Sequence, residues 1–136
     1  MALHERKLIL DKESVVLWYY PELKIVHHRM LQAPDSASFR ELLTSGAELL
    51  ERFRAVKWLS DDRANTVLRE PDTDWADREW LPRVVRSGFK YWAIVLPTAA
   101  IGKLNMRRLA SEHSRRGITS SVFEAPEDAF DWLKNK

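Results

Sequence analysis

From residue 56 onward, short apolar runs alternate with segments of helical character, and this alternation constrains the fold more than any other feature. Strand-like runs occur at 56–59, 91–96 and 118–123. Strands that alternate with helices pair in parallel, with the helices covering the sheet. The run 91–96 is continuously apolar, as expected for a central strand buried on both faces. The second half of the chain is therefore predicted to form βα units.

The first 31 residues indicate a different arrangement. Apolar and β-branched residues predict strands at 8–10, 15–20 and 23–31, with Leu23, Ile25 and Leu31 on one face of the third. The connections are short, which favours an antiparallel meander. The prediction is an α/β fold over residues 1–136: one domain with a single mixed sheet, in which an N-terminal antiparallel β-meander precedes βαβαβα units with helices packed on the sheet.

Helix positions follow from apolar spacing and from residues that start or stop helices. Apolar residues recur at three- and four-residue steps between 39 and 53, after a cap at Asp35 or Ser36. Residues 64–74 show weak periodicity and are predicted to form a long loop. A second helix should follow from a cap at Asp74, kink or split at Pro82, and stop at Gly88. Further helices are predicted at 99–115, ending before Gly117, and from Pro126.

Composition limits the possible functions. With 45% hydrophobic and 31% charged residues, the chain can form an ordinary globular core. The absence of cysteine excludes disulfides, thiolate metal sites and cysteine nucleophiles. The N-terminal residues do not resemble a secretory signal, and no apolar run is long enough to cross a bilayer, so a cytoplasmic location is predicted. The net charge of +2 indicates no particular partner.

An acidic segment after the strand 56–59 is the strongest candidate site. Asp61, Asp62 and Arg63 stand where that strand ends, and ligands of open α/β sheets favour the carboxyl ends of strands. With Trp75 they form the candidate binding loop. Its carboxylates could bind Mg²⁺ or act as acid and base. The alternative is that one aspartate caps the loop, Arg63 pairs with it, and the remaining charges are solvated.

Other chemistry-bearing residues form no recognisable motif. His27 and His28 are adjacent on a strand, so they should face opposite sides of the sheet and cannot bind one metal together. Nucleophile elbows and glycine-rich phosphate loops are missing from the sequence. We therefore expect no catalytic residue, no metal and no cofactor.

Two sets of residues are candidates for a partner surface. Trp18 and Tyr20 lie in phase on the meander, and Lys103, Arg107 and Arg108 make the predicted third helix basic. Such a helix could meet nucleic acid, anionic lipid or an acidic protein. Without interleaved aromatic residues or a helix-turn-helix pattern, nucleic acid is not favoured. The alternatives are that the bases are simply solvated and that Trp18, like Trp75, only covers the sheet edge.

Several sequence segments resemble those of a known group of proteins. They are residues 56–63, the Trp80-Leu81-Pro82 sequence leading to 87–89, the run 93–97, and the closing segment 126–133. In order and content they resemble small stand-alone bacterial proteins with a SpoIIAA-like fold. STAS domains (sulfate transporter and anti-sigma factor antagonist) share that fold, as do, more distantly, the CRAL-TRIO lipid-transfer domains. The resemblance implies a non-catalytic regulatory module that binds another protein and forms a homodimer.

One position departs from that group. In anti-sigma factor antagonists the strand leads into an Asp-Ser or Asp-Thr pair whose hydroxyl is phosphorylated. Here Asp61 is followed by Asp62, while Ser60 precedes the acids and Thr66 lies further along. The sequence therefore lacks the pair that such a switch uses. Two alternatives to the regulatory module stay open: a carrier of a small apolar or lipid-like ligand, and an enzyme that uses the carboxylate loop with a divalent metal.

Overall fold

One mixed sheet organises the molecule. The computed structural model describes residues 4–31, 34–64, 68–96, 108, 111 and 113–136. Within them, six strands lie side by side in sequence order. The first three pair antiparallel, and the third to the sixth run parallel. This arrangement confirms the predicted α/β class with its antiparallel start. The strands are β1 (Lys7–Asp11), β2 (Val15–Tyr20), β3 (Ile25–Met30), β4 (Lys57–Asp61), β5 (Tyr91–Val95) and β6 (Thr119–Phe123).

Helices cover both faces of the sheet. On one face, α1 (Ser36–Phe53) packs beside a helical stretch made of α2 (Glu70–Trp75), a π-helical turn (Ala76–Trp80) and α3 (Leu81–Ser87). On the other face lies α4 (Pro126–Lys134), which contributes Ala129, Phe130 and Leu133 to a second apolar cluster. The sheet therefore separates two cores. Alternate residues of each inner strand enter different cores, as the two-residue period of a strand requires.

The helix α1 begins and ends as its sequence predicts. The Asp35 side chain caps it and accepts a hydrogen bond of 2.7 Å from the Ser38 backbone N–H. Its apolar stripe is buried, and the helix stops at Arg54, whose backbone is left-handed with φ 55°. Between these ends Gly46 faces the ring of Trp58 on β4. A glycine there lets helix and sheet approach closely.

The expected loop over 64–74 is wrong in its second half. α2 starts at Glu70 with Pro71 in its first turn, so Asp74 lies inside a helix instead of capping one. The helix is not apparent from the polar sequence, because its buried residue is Asp72, a residue type that is usually exposed to solvent. Its carboxylate accepts hydrogen bonds from Ser36 Oγ at 2.9 Å and from Arg40 Nε at 3.3 Å. Periodicity cannot recognise a buried carboxylate of this kind.

Pro82 is accommodated by a change of helix type. Proline lacks an N–H, and its ring collides with the carbonyl four residues earlier in a regular α-helix. Here a π-helical turn directly precedes it, and the Leu81 N–H reaches the Ala76 carbonyl five residues back. The helical stretch then continues to Gly88, which stops it in a left-handed conformation with φ 104°. The predicted stop at Gly88 is confirmed, whereas Pro82 changes the helix type at a point where the sequence predicts a kink or a split.

The strands differ slightly from the predicted ones. β3 is shorter than 23–31, and Leu31 lies outside it with 39% of its surface exposed. β4 extends to Asp61, so two residues expected in a loop belong to the strand. The apolar run 91–96 lies between β4 and β6 and is buried, as predicted. Most of the predicted helix 99–115 falls outside the described residues. Among the described helices, none is long and apolar enough to cross a bilayer.

Candidate functional site

The two neighbouring aspartates of the predicted loop are separated by the sheet. Asp61 ends β4 and receives two hydrogen bonds of 2.9 Å from the guanidinium of Arg63. Asp62 comes next and accepts from the opposite side of the sheet, where its Oδ1 lies 2.8 Å from His28 Nε2. Both carboxylates are buried. The predicted pairing of Arg63 with an aspartate is observed, whereas a shared site for the two aspartates is not.

Trp75 does not join these residues. It ends α2, half-buried, with Arg40 5.2 Å above its ring and Phe39 edge-on at 6.5 Å. Its open side borders a surface depression with Glu70 and Asp74. The four residues predicted as one binding loop therefore lie in three different surroundings.

A chain of hydrogen bonds fixes the protonation of His28. Trp58 Nε1 donates to His28 Nδ1 at 2.9 Å, and an indole N–H can only donate. Nδ1 must therefore accept, which places the proton of the neutral ring on Nε2. That proton is donated to Asp62 Oδ1. Trp58 thus fixes the tautomer in which His28 accepts at Nδ1 and donates to Asp62 from Nε2.

A second polar pair lies beside this chain. Trp92 Nε1 donates to Ser60 Oγ at 2.7 Å, and the ring of His113 packs on the ring of Trp92 with centroids 4.5 Å apart. Ser60 keeps its own hydroxyl hydrogen for another acceptor. Within the described part of the chain, His113 Nδ1 is buried without a hydrogen-bond partner. Burial lowers the pKa of His113 to about 4, so its ring is neutral at pH 7.

These groups meet at a cavity near the carboxyl ends of β3 and β4, to which β5 contributes the side chain of Trp92. Its volume is about 70 Å³, and its walls are largely apolar and aromatic. The helical stretch lines it with Thr73, Ala76, Asp77 and Trp80. The lining residues are His28, Met30, Phe39, Leu43, Trp58, Ser60, Asp62, Leu68, Thr73, Ala76, Asp77, Trp80, Trp92 and His113.

The cavity contains a serine, a histidine and an aspartate, but they do not form a catalytic triad. His28 and Ser60 are register partners on adjacent strands and line the same cavity. A triad needs one imidazole nitrogen on the serine and the other on the acid. Here Trp58 occupies Nδ1 and Asp62 occupies Nε2. No nitrogen of His28 is left to take the proton of Ser60.

A metal site with the predicted carboxylates has little support. A divalent cation such as Mg²⁺ requires several oxygen ligands around one point. Asp61 and Asp62 point to opposite faces, and each accepts a hydrogen bond from a basic side chain. Among the described residues no three histidine or acidic side chains are grouped closely enough to hold a metal ion.

The predicted partner surface is only partly available. Tyr20 is buried, stacks on His27 and contacts Phe130, so its assignment to a surface is wrong. Its burial follows from its position on β2, whose far face α4 covers. Trp18 is half-buried, with Arg6 4.3 Å above its ring. Of the three basic helix residues, Arg108 is exposed, while Lys103 and Arg107 lie outside the described residues.

A different surface combines apolar and basic residues. An open groove of about 500 Å³ runs between the edge strand β1 and the C-terminal end of α1. Ile9 and Phe53 are 40% and 37% exposed there, and Phe53 stacks on Tyr19 at 4.9 Å. No acidic residue occurs among the described residues that line it. The basic lining residues are Lys7, Lys24, Arg52 and Arg54.

Sequence reasoning missed His28, Ser60 and His113 as site residues. His28 and the adjacent His27 are both buried, which their polar character alone does not indicate. One available signal was the period of two along β4, which places Trp58, Ser60 and Asp62 on one face. The pairing of that face with His28 depends on the parallel register of β3 and β4, which no local pattern contains.

Comparisons with models of protein families, with curated proteins and with solved structures found no significant match for this chain.

Proposed function

We propose that this protein is a non-catalytic binding module that holds a small molecule in the cavity beside Asp62. The observation that carries the proposal is an apolar cavity into which a few buried polar groups converge. Pockets of this composition are typical of ligand sites, because apolar walls provide affinity and a few polar groups fix orientation. The cavity also lies at the carboxyl ends of parallel strands, where α/β folds place their ligands.

Two features favour binding over catalysis. The hydrogen bonds of His28 are fixed on both nitrogens, so it cannot exchange a proton without losing one of them. Ser60 has no general base in its described hydrogen bonds. A nucleophile needs such a base to be activated. The polar groups are therefore better suited to recognise a ligand than to transform it.

Cavity size limits the ligand. A volume of about 70 Å³ is roughly half that of an engineered cavity of about 150 Å³ that binds benzene. The group enclosed by the described residues is therefore smaller than a benzene ring. The binding free energy of the best small ligands is at most about 1.5 kcal/mol per non-hydrogen atom. A ligand of about four such atoms therefore binds with a dissociation constant of roughly tens of micromolar at best.

Tryptophan fluorescence offers a direct test, because Trp58, Trp80 and Trp92 line the cavity. The protein is titrated with ethanol, acetamide, ethylammonium and acetate at constant ionic strength. We expect at least one probe to change the fluorescence with saturation and to raise the melting temperature, since a ligand that binds only the folded state stabilises it. If no probe does so, the proposal is wrong.

A matched pair of variants locates the binding. Ala76 lines the cavity from the helical side, so Ala76→Leu should fill part of it and abolish the saturable change. Ala37 is an exposed helical alanine in α1, and Ala37→Leu should leave the titration unaltered. Equal loss in both variants, or in neither, would show that the probe binds elsewhere.

The groove beside β1 supports a second candidate function, that of a protein-interaction module. Exposed apolar side chains surrounded by bases favour an acidic partner segment with apolar residues of its own. Strand addition at β1 is less favoured, because a bulge near Ile9 and the charge of Lys7 protect that edge. An isologous homodimer would place bases against bases here, so the homodimer implied by the SpoIIAA-like resemblance would need another surface.

This second function is tested with a labelled peptide that alternates Leu and Glu. Arg52→Glu should weaken its binding, and added salt should do the same, because exposed charges are screened. The exposed Arg86 lies outside the groove, so Arg86→Glu serves as the control. Light scattering measures the oligomeric state in parallel. Equal effects of the two substitutions would show that the peptide does not bind in the groove.

A regulatory role in the cytoplasm of a bacterium is part of this second candidate function.

A further inference from the structure

The chemical class of the ligand follows from the charge of the cavity, provided that the cavity is a binding site as proposed above. Three aspartates are buried in the described part of the chain: Asp61, Asp62 and Asp72. Asp61 is paired with the guanidinium of Arg63, and Asp72 with that of Arg40. Asp62 differs, because its described side-chain partner is His28. Buried charges are normally paired with an opposite charge.

His28 does not supply that charge. Protonation of Nδ1 would break the hydrogen bond from Trp58, because the indole N–H of Trp58 can donate but cannot accept. Held in this tautomer, the imidazole contributes one N–H and no net charge. The Asp62 carboxylate therefore meets a hydrogen-bond donor but no cationic side chain among its described partners, although it and His28 are only 3% and 4% exposed.

The other groups around the cavity are suited to a donor-rich cation. Asp62 has a second carboxylate oxygen, and the neutral ring of His113 can present Nδ1 as another acceptor. Three indoles line the walls, and an indole face attracts a cation that lies within about 6 Å of the ring centroid. Acceptors and aromatic faces together recognise ammonium groups. Asp77 is a further acidic residue that lines the cavity.

We infer that the cavity beside Asp62 binds a small organic ammonium group, with the Asp62 carboxylate as its counter-ion and Trp58, Trp80 and Trp92 as its aromatic walls. The group can belong to a free small amine or to the end of a longer amine. An anion is disfavoured, because it would face an unneutralised carboxylate in a site of low dielectric constant.

Three probes of similar size and different charge test the inference on the unmodified protein. Ethylammonium, ethanol and acetate are titrated at pH 7 and constant ionic strength, with tryptophan fluorescence and calorimetry as readouts. We expect ethylammonium to bind at least about tenfold more tightly than ethanol, and acetate not to bind. If ethanol binds as well as ethylammonium, the inferred charge selectivity is wrong while the cavity remains a binding site. If none binds, both proposals fail.

Adjacent aspartates provide the matched variants. Asp62→Asn keeps the shape and removes the charge, so ethylammonium should lose at least about tenfold in affinity while ethanol is unaffected. Asp61→Asn removes a carboxylate one residue away, on the other face of the sheet, and should change the affinity for neither ethylammonium nor ethanol. Circular dichroism establishes that each variant is folded. If Asp62→Asn does not fold, the comparison of probes on the unmodified protein still decides, and undiminished ethylammonium binding by a folded Asp62→Asn variant overturns the inference.

Discussion

Gly46 shows how a single residue sets the distance between helix and sheet. It lies on the buried face of α1, and a Cβ at this position would overlap the ring of Trp58. Helix propensity alone favours Gly46→Ala by about 1 kcal/mol. Overpacking a close contact costs about 1–3 kcal/mol, and Trp58 cannot retreat without straining its hydrogen bond to His28. We therefore expect the overlap to outweigh the helix propensity, so that Gly46→Ala destabilises the protein.

The overlap with the Trp58 ring is severe, so the upper end of that cost applies; after the gain in helix propensity, Gly46→Ala should lower the free energy of unfolding by about 1–2 kcal/mol. Urea denaturation followed by tryptophan fluorescence measures this change. Ser45→Ala is the control, because it raises helix propensity at the neighbouring position, which is half-buried. A variant at Gly46 that is as stable as the wild type would mean that α1 shifts freely over the sheet.

Among the secondary-structure elements, those with strong periodicity could be predicted from the sequence. The stripe of α1, the apolar run of β5 and the stop at Gly88 each have a local cause, and each appears at the expected place. α2 could not be predicted in this way. Its one fully buried residue is a carboxylate, Asp72, whose partners Ser36 and Arg40 come from another helix. Long-range pairing decides its burial, and a sequence window does not contain that pairing.

The candidate site was predictable to a similar, partial extent. The position of Asp62 after a buried strand correctly indicated the carboxyl edge of the sheet. Its grouping with Asp61 was misleading, because consecutive residues near a strand end face opposite sides. His28 could not be assigned to the site, since its contact with Asp62 crosses from β3 to β4 and depends on the register of the assembled sheet.

Over the whole molecule, the sheet keeps a neutral histidine buried on each face. His27 lies against Trp18 and Tyr20 on the face that α4 covers, and its Nε2 has no described partner. Burial lowers the pKa of His27 to about 3. His113 lies on the opposite face, where burial lowers its pKa to about 4. Neither ring can take up a proton near neutral pH while the protein stays folded.

Acid should therefore destabilise the fold well above the pH at which carboxylates titrate. The unfolded chain binds protons on both histidines as the pH falls through about 6.5, whereas the folded protein does not until about 4 and 3. Stability is present above pH 6.5 and is lost below it, by up to about 1.4 kcal/mol per pH unit for each histidine. Urea denaturation at several values between pH 5 and pH 7.5 measures the slope. His27→Phe, which keeps an aromatic ring beside Trp18, should remove about half of it. Equal midpoints at pH 5 and pH 7.5 in the wild type would show that the two imidazoles can be protonated inside the fold.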